Sequence, residues 1–102
     1  MKILIDESLP RFLKQALSAH EVFTVQDMGW AGIKNGELLA KSASSFDVFL
    51  EADKNLRHQQ NLSQFQLSIV VFPSNRLSIV KNLMPRVNEM LKQITSGEIM
   101  EL

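Results

Sequence analysis

Acidic residues stand at the ends of two apolar segments in this chain. Asp6 directly follows residues 2–5, and Asp53 follows residues 48–52, and both segments have the composition of a buried β-strand. In open α/β sheets, ligands bind outside the carboxyl ends of the strands. Carboxylate oxygens suit Mg²⁺ and Mn²⁺, which activate water and stabilise charge at a phosphorus centre. If the first and third strands are neighbours, the spacing predicts a metal site that uses Asp6 and Asp53.

A third carboxylate, Glu37, lies in the first turn of a helix predicted over residues 36–44. An acid at that position complements the helix dipole, which is a structural role. The other role is to point into the cleft that holds Asp6 and Asp53. We therefore take Asp6, Glu37 and Asp53 together as the candidate catalytic and metal-binding residues.

The charged residues are unevenly distributed although the formal net charge is +0. Residues 54–92 contain six lysines and arginines and one acid, whereas most acids lie between residues 6 and 53. A neutral total argues against a general nucleic-acid coat protein. A basic half beside an acidic cluster suits a site that binds a phosphate backbone and acts on it with a metal. Solvated helix faces produce the same pattern.

The composition predicts a single domain over residues 1–102, with an ordinary apolar fraction of 45%. There is no cysteine, which excludes disulfides, a thiolate zinc site and a cysteine nucleophile. The apolar run after the first residues is too short for a signal peptide, and no segment approaches the length of a membrane span. We expect a cytoplasmic protein without membrane contact.

The periodicity predicts strands at residues 2–5, 22–25, 48–52, 67–72 and 98–102, with helices between them. Ser8 is expected to cap the first helix and Asn35 the second. The last helix should span residues 77–94, with a kink or break before Pro85. The polar residues 53–61 are expected to form a short exposed helix or loop at the mouth of the cleft. The fold class is α/β, a three-layer α/β/α sandwich around a mostly parallel five-stranded sheet.

A receiver-type phosphorylation domain also gathers acids at the ends of parallel strands. It needs paired acids after the first strand, an acid after the third and a lysine after a later strand. Asp6, Glu7 and Asp53 satisfy the first two requirements. No lysine follows the fourth or the fifth strand in the expected place, so this interpretation is disfavoured.

Four motifs give the chain a resemblance to short bacterial PIN-like proteins, which are related to VapC-type toxins. They are MKILIDESLP at the start, VQDMGWAG from Val25, GELLA from Gly36 and DKNLRHQQN from Asp53. They occur in the family's order and at similar spacing over essentially the whole chain. The resemblance implies a PIN-like sandwich, an acidic site for Mg²⁺ or Mn²⁺, and cleavage of RNA. It also implies a cognate antitoxin as partner, and a homodimer is plausible for a small domain of this type.

Carried over from the family, Asp6 matches the acid of the first strand, Glu37 the helix acid and Asp53 the acid after the third strand. Each would be a metal ligand, directly or through water. Two positions depart from the family pattern. Glu51 replaces a frequent Thr or Ser, and it either adds a ligand or crowds the site with negative charge. Asn55 replaces a further acid, and its amide supplies no charge.

Under the ribonuclease interpretation, the residues expected to contact the RNA substrate are Lys54, Asn55, Arg57 and Arg76. The three basic residues would contact RNA phosphates, and a plain surface role fits them equally well. The function expected is that of a metal-dependent ribonuclease, the toxin component of a toxin–antitoxin pair. The alternative is a catalytically degenerate PIN-like module that acts by binding a protein partner.

Overall fold

Strands and helices alternate over most of the chain. A computed structural model describes residues 1–52 and 66–102, and the helix or loop expected at residues 53–61 lies outside these ranges. The described residues form five strands and three helices. In chain order these are β1 (Lys2–Ile5), α1 (Phe12–Ala16), β2 (Glu21–Thr24), α2 (Asn35–Ala43), β3 (Val48–Glu51), β4 (Ser68–Val71), α3 (Leu77–Gln93) and β5 (Ile99–Glu101).

All five described strands run parallel in one sheet, in the order β2-β1-β3-β4-β5. The sequence predicts a mostly parallel sheet, and the structure makes every described pairing parallel. Ile3 pairs with Val48 and Ile5 pairs with Leu50. The chain moves outward in opposite directions from β1 and β3, so the topological switch point of this doubly wound sheet lies between them. The prediction that the first and third strands are neighbours is confirmed.

Helices cover both faces of the sheet. Ile3 and Ile5 belong to a buried cluster under α1 and α3, whereas Leu4 belongs to a second cluster that includes α2 residues. This division follows from the period-two alternation of side chains along a strand. Strands β3 and β4 are buried along their whole length, which explains why their sequences are mostly apolar rather than alternating.

Two helix starts differ from the prediction. Arg11 rather than Ser8 precedes α1, and Lys34 rather than Asn35 precedes α2. Neither of these preceding residues makes a side-chain capping hydrogen bond. Ser8 lies three residues before Arg11, and its N–H and hydroxyl both donate to the carboxylate of Asp6. The first helix is short, with five residues.

Helix α3 continues through Pro85 for 17 residues, so of the kink or break predicted there, the break does not occur. Proline cannot donate the hydrogen bond that its position in a helix requires. Buried contacts from Val80 and Val87 lie on either side of Pro85 and hold both parts of the helix on the sheet. Among residues 1–52 and 66–102, no helix is long and apolar enough to cross a bilayer.

The end of the edge strand β2 is tied to the first helix through Asp27. One carboxylate oxygen, Oδ2, accepts hydrogen bonds from the Nζ of Lys14 at 2.6 Å and from the N–H of Thr24 at 3.0 Å. The N–H of Asp27 in turn donates to the hydroxyl of Thr24 at 3.0 Å. The hydrogen bond from Lys14, followed by that from the Thr24 backbone, lowers the pKa of Asp27 from 3.8 to about 2.

Candidate functional site

A cleft of about 500 Å³ opens at the carboxyl ends of β1, β3 and β4. It lies at the switch point, where doubly wound sheets bind their ligands. The described lining is mostly polar and comes from the segments that follow β1 and β4, from the end of β3 and from the loop before α2. The lining residues are Asp6, Glu7, Ser8, Ile33, Glu51, Ala52, Ser74 and Asn75.

Asp6 and Glu51 are neighbours across the switch point. The N–H of Asp6 donates to the carbonyl of Leu50 at 3.0 Å, which extends the pairing of β1 and β3 by one residue. The next step of that register places Asp6 beside Glu51. Residues in register on neighbouring strands point to the same face. Leu4 lies in the cluster that includes α2, so it marks the α2 side of the sheet. Asp6 is two residues after Leu4 and points to the same side, and so does Glu51 beside it.

The carboxylate of Asp6 is oriented by its own loop. The N–H of Ser8 donates to Oδ2 of Asp6 at 3.1 Å, and the hydroxyl of Ser8 donates to the same oxygen. The carbonyl of Asp6 accepts the N–H of Leu9 at 3.1 Å, which closes the turn. Aspartate favours such turns because its side chain can bond the backbone two residues on. Within the described part of the chain, the hydrogen bonds that the Asp6 side chain accepts both go to Oδ2.

Glu51 is almost completely buried, with 2% of its surface exposed. It is the last residue of β3, and the N–H of Ala52 donates to its Oε1 at 2.8 Å. A carboxylate in such a place requires polar partners, because an uncompensated buried charge is costly. In the sequence, Glu51 is one of two carboxylates at the end of the third strand, and it was expected either to add a ligand or to crowd the site. The register between β1 and β3 shows it to be the described acid that accompanies Asp6.

Two further loops complete the cleft. The N–H of Gly32 lies 3.4 Å from Oε1 of Glu7, a long hydrogen bond that links the segment before α2 to the one after β1. Gly32 has a φ of +83°, a conformation that favours glycine. On the opposite side, the hydroxyl of Ser74 accepts the N–H of Arg76 at 3.0 Å, which shapes the turn from β4 into α3. Ser74 and Asn75 follow β4 after Phe72 and Pro73, and both line the cleft.

The structure separates the predicted site residues into three groups. Asp6 lines the cleft. Glu37 is exposed in the first turn of α2 and is not among the described lining residues, and Arg76 is exposed next to Asn75. The remaining predicted residues, Asp53, Lys54, Asn55 and Arg57, lie outside the described residues.

The metal prediction rests partly on Asp53. In residues 1–52 and 66–102, no group of three or more acidic, histidine or cysteine side chains is arranged to hold a metal ion. The described oxygen donors at the cleft are the carboxylates of Asp6, Glu7 and Glu51 with the polar side chains of Ser74 and Asn75. Oxygen ligands of this kind suit Mg²⁺ or Mn²⁺ rather than a soft metal.

Comparison with known proteins identified no relative of this chain. No family model, curated protein or solved structure matches the chain. The cleft is therefore interpreted from its own residues and their geometry.

Proposed function

We propose that the chain is a PIN-like, metal-dependent ribonuclease of the toxin type, which acts on RNA at the switch-point cleft. The observation that carries this proposal is the pairing of Asp6 and Glu51 at adjacent strand ends, in a polar cleft of about 500 Å³. Two carboxylates at that place supply the oxygen ligands that Mg²⁺ or Mn²⁺ requires. A metal bound there would activate water and stabilise charge at phosphorus.

The proposed ligand set combines the described and the predicted acids. Asp6 would offer Oδ1, since Ser8 engages Oδ2. Glu51 and the predicted Asp53 would bind directly or through water, and Glu37 would contribute through water if its helix start turns towards the cleft. The partner of such a toxin would be a cognate antitoxin.

Receiver-type phosphorylation has less support at the same cleft. That chemistry needs a lysine after a later strand. The described residues that follow β4 into the cleft are Ser74 and Asn75, which offer hydrogen bonds but no positive charge.

A second candidate function is the degenerate PIN-like module, and the burial of Glu51 favours it. A carboxylate with 2% exposure and a hydrogen bond from the Ala52 N–H is already satisfied in part by the protein. The Glu51 carboxylate can then stabilise the fold without binding a metal. In that case the chain would act by binding a protein partner rather than by cleaving RNA.

Calorimetric titration with Mn²⁺ distinguishes the two candidates. The wild type should bind Mn²⁺, and Asp6→Asn should weaken binding by at least roughly tenfold. Asp47→Asn is the matched control, because Asp47 is exposed at the opposite end of β3, where it accepts the N–H of Lys2 at 2.7 Å. The control should bind Mn²⁺ like the wild type.

An RNA cleavage assay completes the test. Purified protein, free of any co-expressed partner, should cleave RNA with Mg²⁺ or Mn²⁺, and both EDTA and Asp6→Asn should abolish cleavage. Absence of Mn²⁺ binding by the wild type would refute the nuclease and favour the binding module. Equal loss of Mn²⁺ binding in Asp6→Asn and Asp47→Asn would show that the effect does not arise at the cleft.

A further inference from the structure

Ser8 holds one of the two carboxylate oxygens of Asp6 at the cleft. Its N–H donates to Oδ2 of Asp6 at 3.1 Å, and its hydroxyl donates to the same oxygen. Both residues line the cleft. Helix α1 begins at Phe12, so Ser8 lies outside the helix and its two hydrogen bonds act on the carboxylate of Asp6.

These hydrogen bonds limit how Asp6 can meet a cation. An ionised carboxylate offers roughly four lone-pair sites, shared between its two oxygens. In the described part of the chain, both hydrogen bonds to the Asp6 side chain reach Oδ2. They occupy that oxygen, because it has about two such sites. A cation at the cleft would therefore meet Asp6 through Oδ1 alone, as a monodentate ligand.

The loop that carries Ser8 is fixed on both sides of it. The N–H of Asp6 donates to the carbonyl of Leu50 at 3.0 Å, and the N–H of Leu9 donates to the carbonyl of Asp6 at 3.1 Å. Leu9 is buried in the cluster under α1 and α3. Pro10 follows, and a proline restricts both its own φ and the backbone of the residue before it. Ser8 is therefore held in place before a ligand arrives, as a residue that orients a ligand group must be.

The number of oxygens that a carboxylate offers affects which cation it prefers. Ca²⁺ accepts about six to eight oxygen ligands in flexible geometry, and it binds carboxylates through one or both oxygens. Mg²⁺ is smaller and requires near-ideal octahedral geometry. A bidentate carboxylate distorts an octahedron, because its two oxygens lie close together. A carboxylate with one oxygen occupied therefore disfavours Ca²⁺ more than it disfavours Mg²⁺.

We propose that Ser8 is a positioning residue that makes Asp6 a monodentate ligand and so shifts the preference of the cleft from Ca²⁺ towards Mg²⁺. The proposal rests on the proposed metal-dependent function and adds the selectivity of its metal site. The competing explanation is that the Asp6–Ser8 pair only stabilises the turn, a role in which both residue types are common. That role predicts a change in stability and no change in the preference between cations.

The experiment compares the affinities of the full chain for Mg²⁺ and Ca²⁺. Each cation displaces Mn²⁺ in calorimetric titrations, and the ratio of the two dissociation constants is the readout. The test variant is Ser8→Ala, which removes the hydroxyl but keeps the N–H, whereas Ser8→Thr keeps both donors. The matched control is Ser96→Ala. The Ser96 hydroxyl donates to the carbonyl of Gln66 at 2.8 Å, and Ser96 precedes β5, at the opposite end of the sheet from the cleft.

The ratio should move towards Ca²⁺ by about tenfold in Ser8→Ala, because Oδ2 regains a lone pair for the larger cation. Ser8→Thr and Ser96→Ala should keep the wild-type ratio, and circular dichroism confirms that each variant is folded. An unchanged ratio in Ser8→Ala would overturn the proposal, as would equal losses of affinity for both cations. A Ser8→Thr variant that behaves like Ser8→Ala would also overturn it, since the hydroxyl would then not be the cause.

The proposed function and the role of Ser8 fail in different results. A wild type that binds no Mn²⁺ refutes the metal-dependent ribonuclease, and the selectivity proposal falls with it. A wild type that binds Mn²⁺ but has the same cation ratio as Ser8→Ala refutes only the role of Ser8. Because the titrations contain no RNA, a protein that binds metal without cleaving RNA still tests that role.

Discussion

Replacing Asp27 by Asn should destabilise the fold by about 1 kcal/mol at neutral pH. Asn keeps an oxygen that can accept the N–H of Thr24, but it removes the charge that holds Lys14 at 2.6 Å. A pKa lowered from 3.8 to about 2 corresponds to at most about 2.4 kcal/mol, at 1.36 kcal/mol per pH unit. The side chains of Lys14 and Asp27 are 45% and 31% exposed. Solvent therefore screens the pair, which reduces the expected effect to the value of a good surface ion pair.

The lowered pKa of Asp27 also determines how its contribution to stability depends on pH. The pKa of Asp27 is lower in the folded state than in the unfolded state, so the ionised carboxylate stabilises the fold at any pH above the unfolded value of 3.8. This contribution is lost as the pH falls through the folded value of about 2. The difference in stability between wild type and Asp27→Asn should be constant near neutral pH and should disappear in strong acid.

Thermal and urea unfolding, followed by circular dichroism at several pH values, measure this difference. A change of about 1 kcal/mol should lower the midpoint temperature by roughly 4–8 °C in a domain of this size. Glu89→Gln is the control, because Glu89 lies 4.0 Å from Lys92 and both side chains are mostly exposed. The control should cost less than about 0.5 kcal/mol. The reasoning is refuted if Asp27→Asn has no larger effect than the control, or if its full effect persists at pH 2.

Two further substitutions test the backbone of the fold. Pro85→Ala should stabilise the protein by about 1–2 kcal/mol, because it restores a hydrogen bond within α3 at an exposed position. An unchanged midpoint in urea would contradict this. Gly32→Ala should cost about 1–2 kcal/mol, because its φ of +83° strains any residue with a Cβ. The added Cβ meets nothing within 4 Å, so a loss above about 3 kcal/mol would indicate a cause other than backbone strain.

The central strands β1, β3 and β4 were predictable because they are buried on both faces. A parallel strand covered by helices reads as a continuous apolar run, and such runs stand out in a polar chain. Their ends were less predictable, as β4 illustrates. The apolar run covers residues 67–72, whereas the strand is Ser68–Val71. Leu67 and Phe72 are both buried, so apolarity identified burial correctly, but strand assignment depends on pairing with the neighbouring strands.

The continuous helix at Pro85 illustrates a different limit. The local sequence predicts a kink or break, because proline cannot donate the helical hydrogen bond at its position. That prediction does not include the tertiary contacts of Val80 and Val87, which hold the two parts of α3 on the same sheet face. Pro85 is also exposed, so water can reach the carbonyl that loses its partner. Tertiary packing therefore keeps α3 continuous through Pro85.

The identity of the acid beside Asp6 depends on strand register, which a single sequence does not reveal. Ile3 pairs with Val48, an offset of 45 residues. The same offset takes Asp6 to Glu51, two residues before the acid that the sequence predicted. A shift of one residue in that register would exchange the faces that Phe49 and Leu50 occupy, and both faces of β3 are buried. The observed register places Glu51 at the cleft.

The departures from sequence rules near β1 share one location, and this supports a functional role for the cleft. The predicted cap residue Ser8 donates two hydrogen bonds to the carboxylate of Asp6. Glu51 buries a carboxylate at the end of a core strand. Natural sequences break local rules mainly where function requires it. Both features place oxygen atoms at the switch point at a cost in local stability. This is expected if the cleft binds a cation and its substrate.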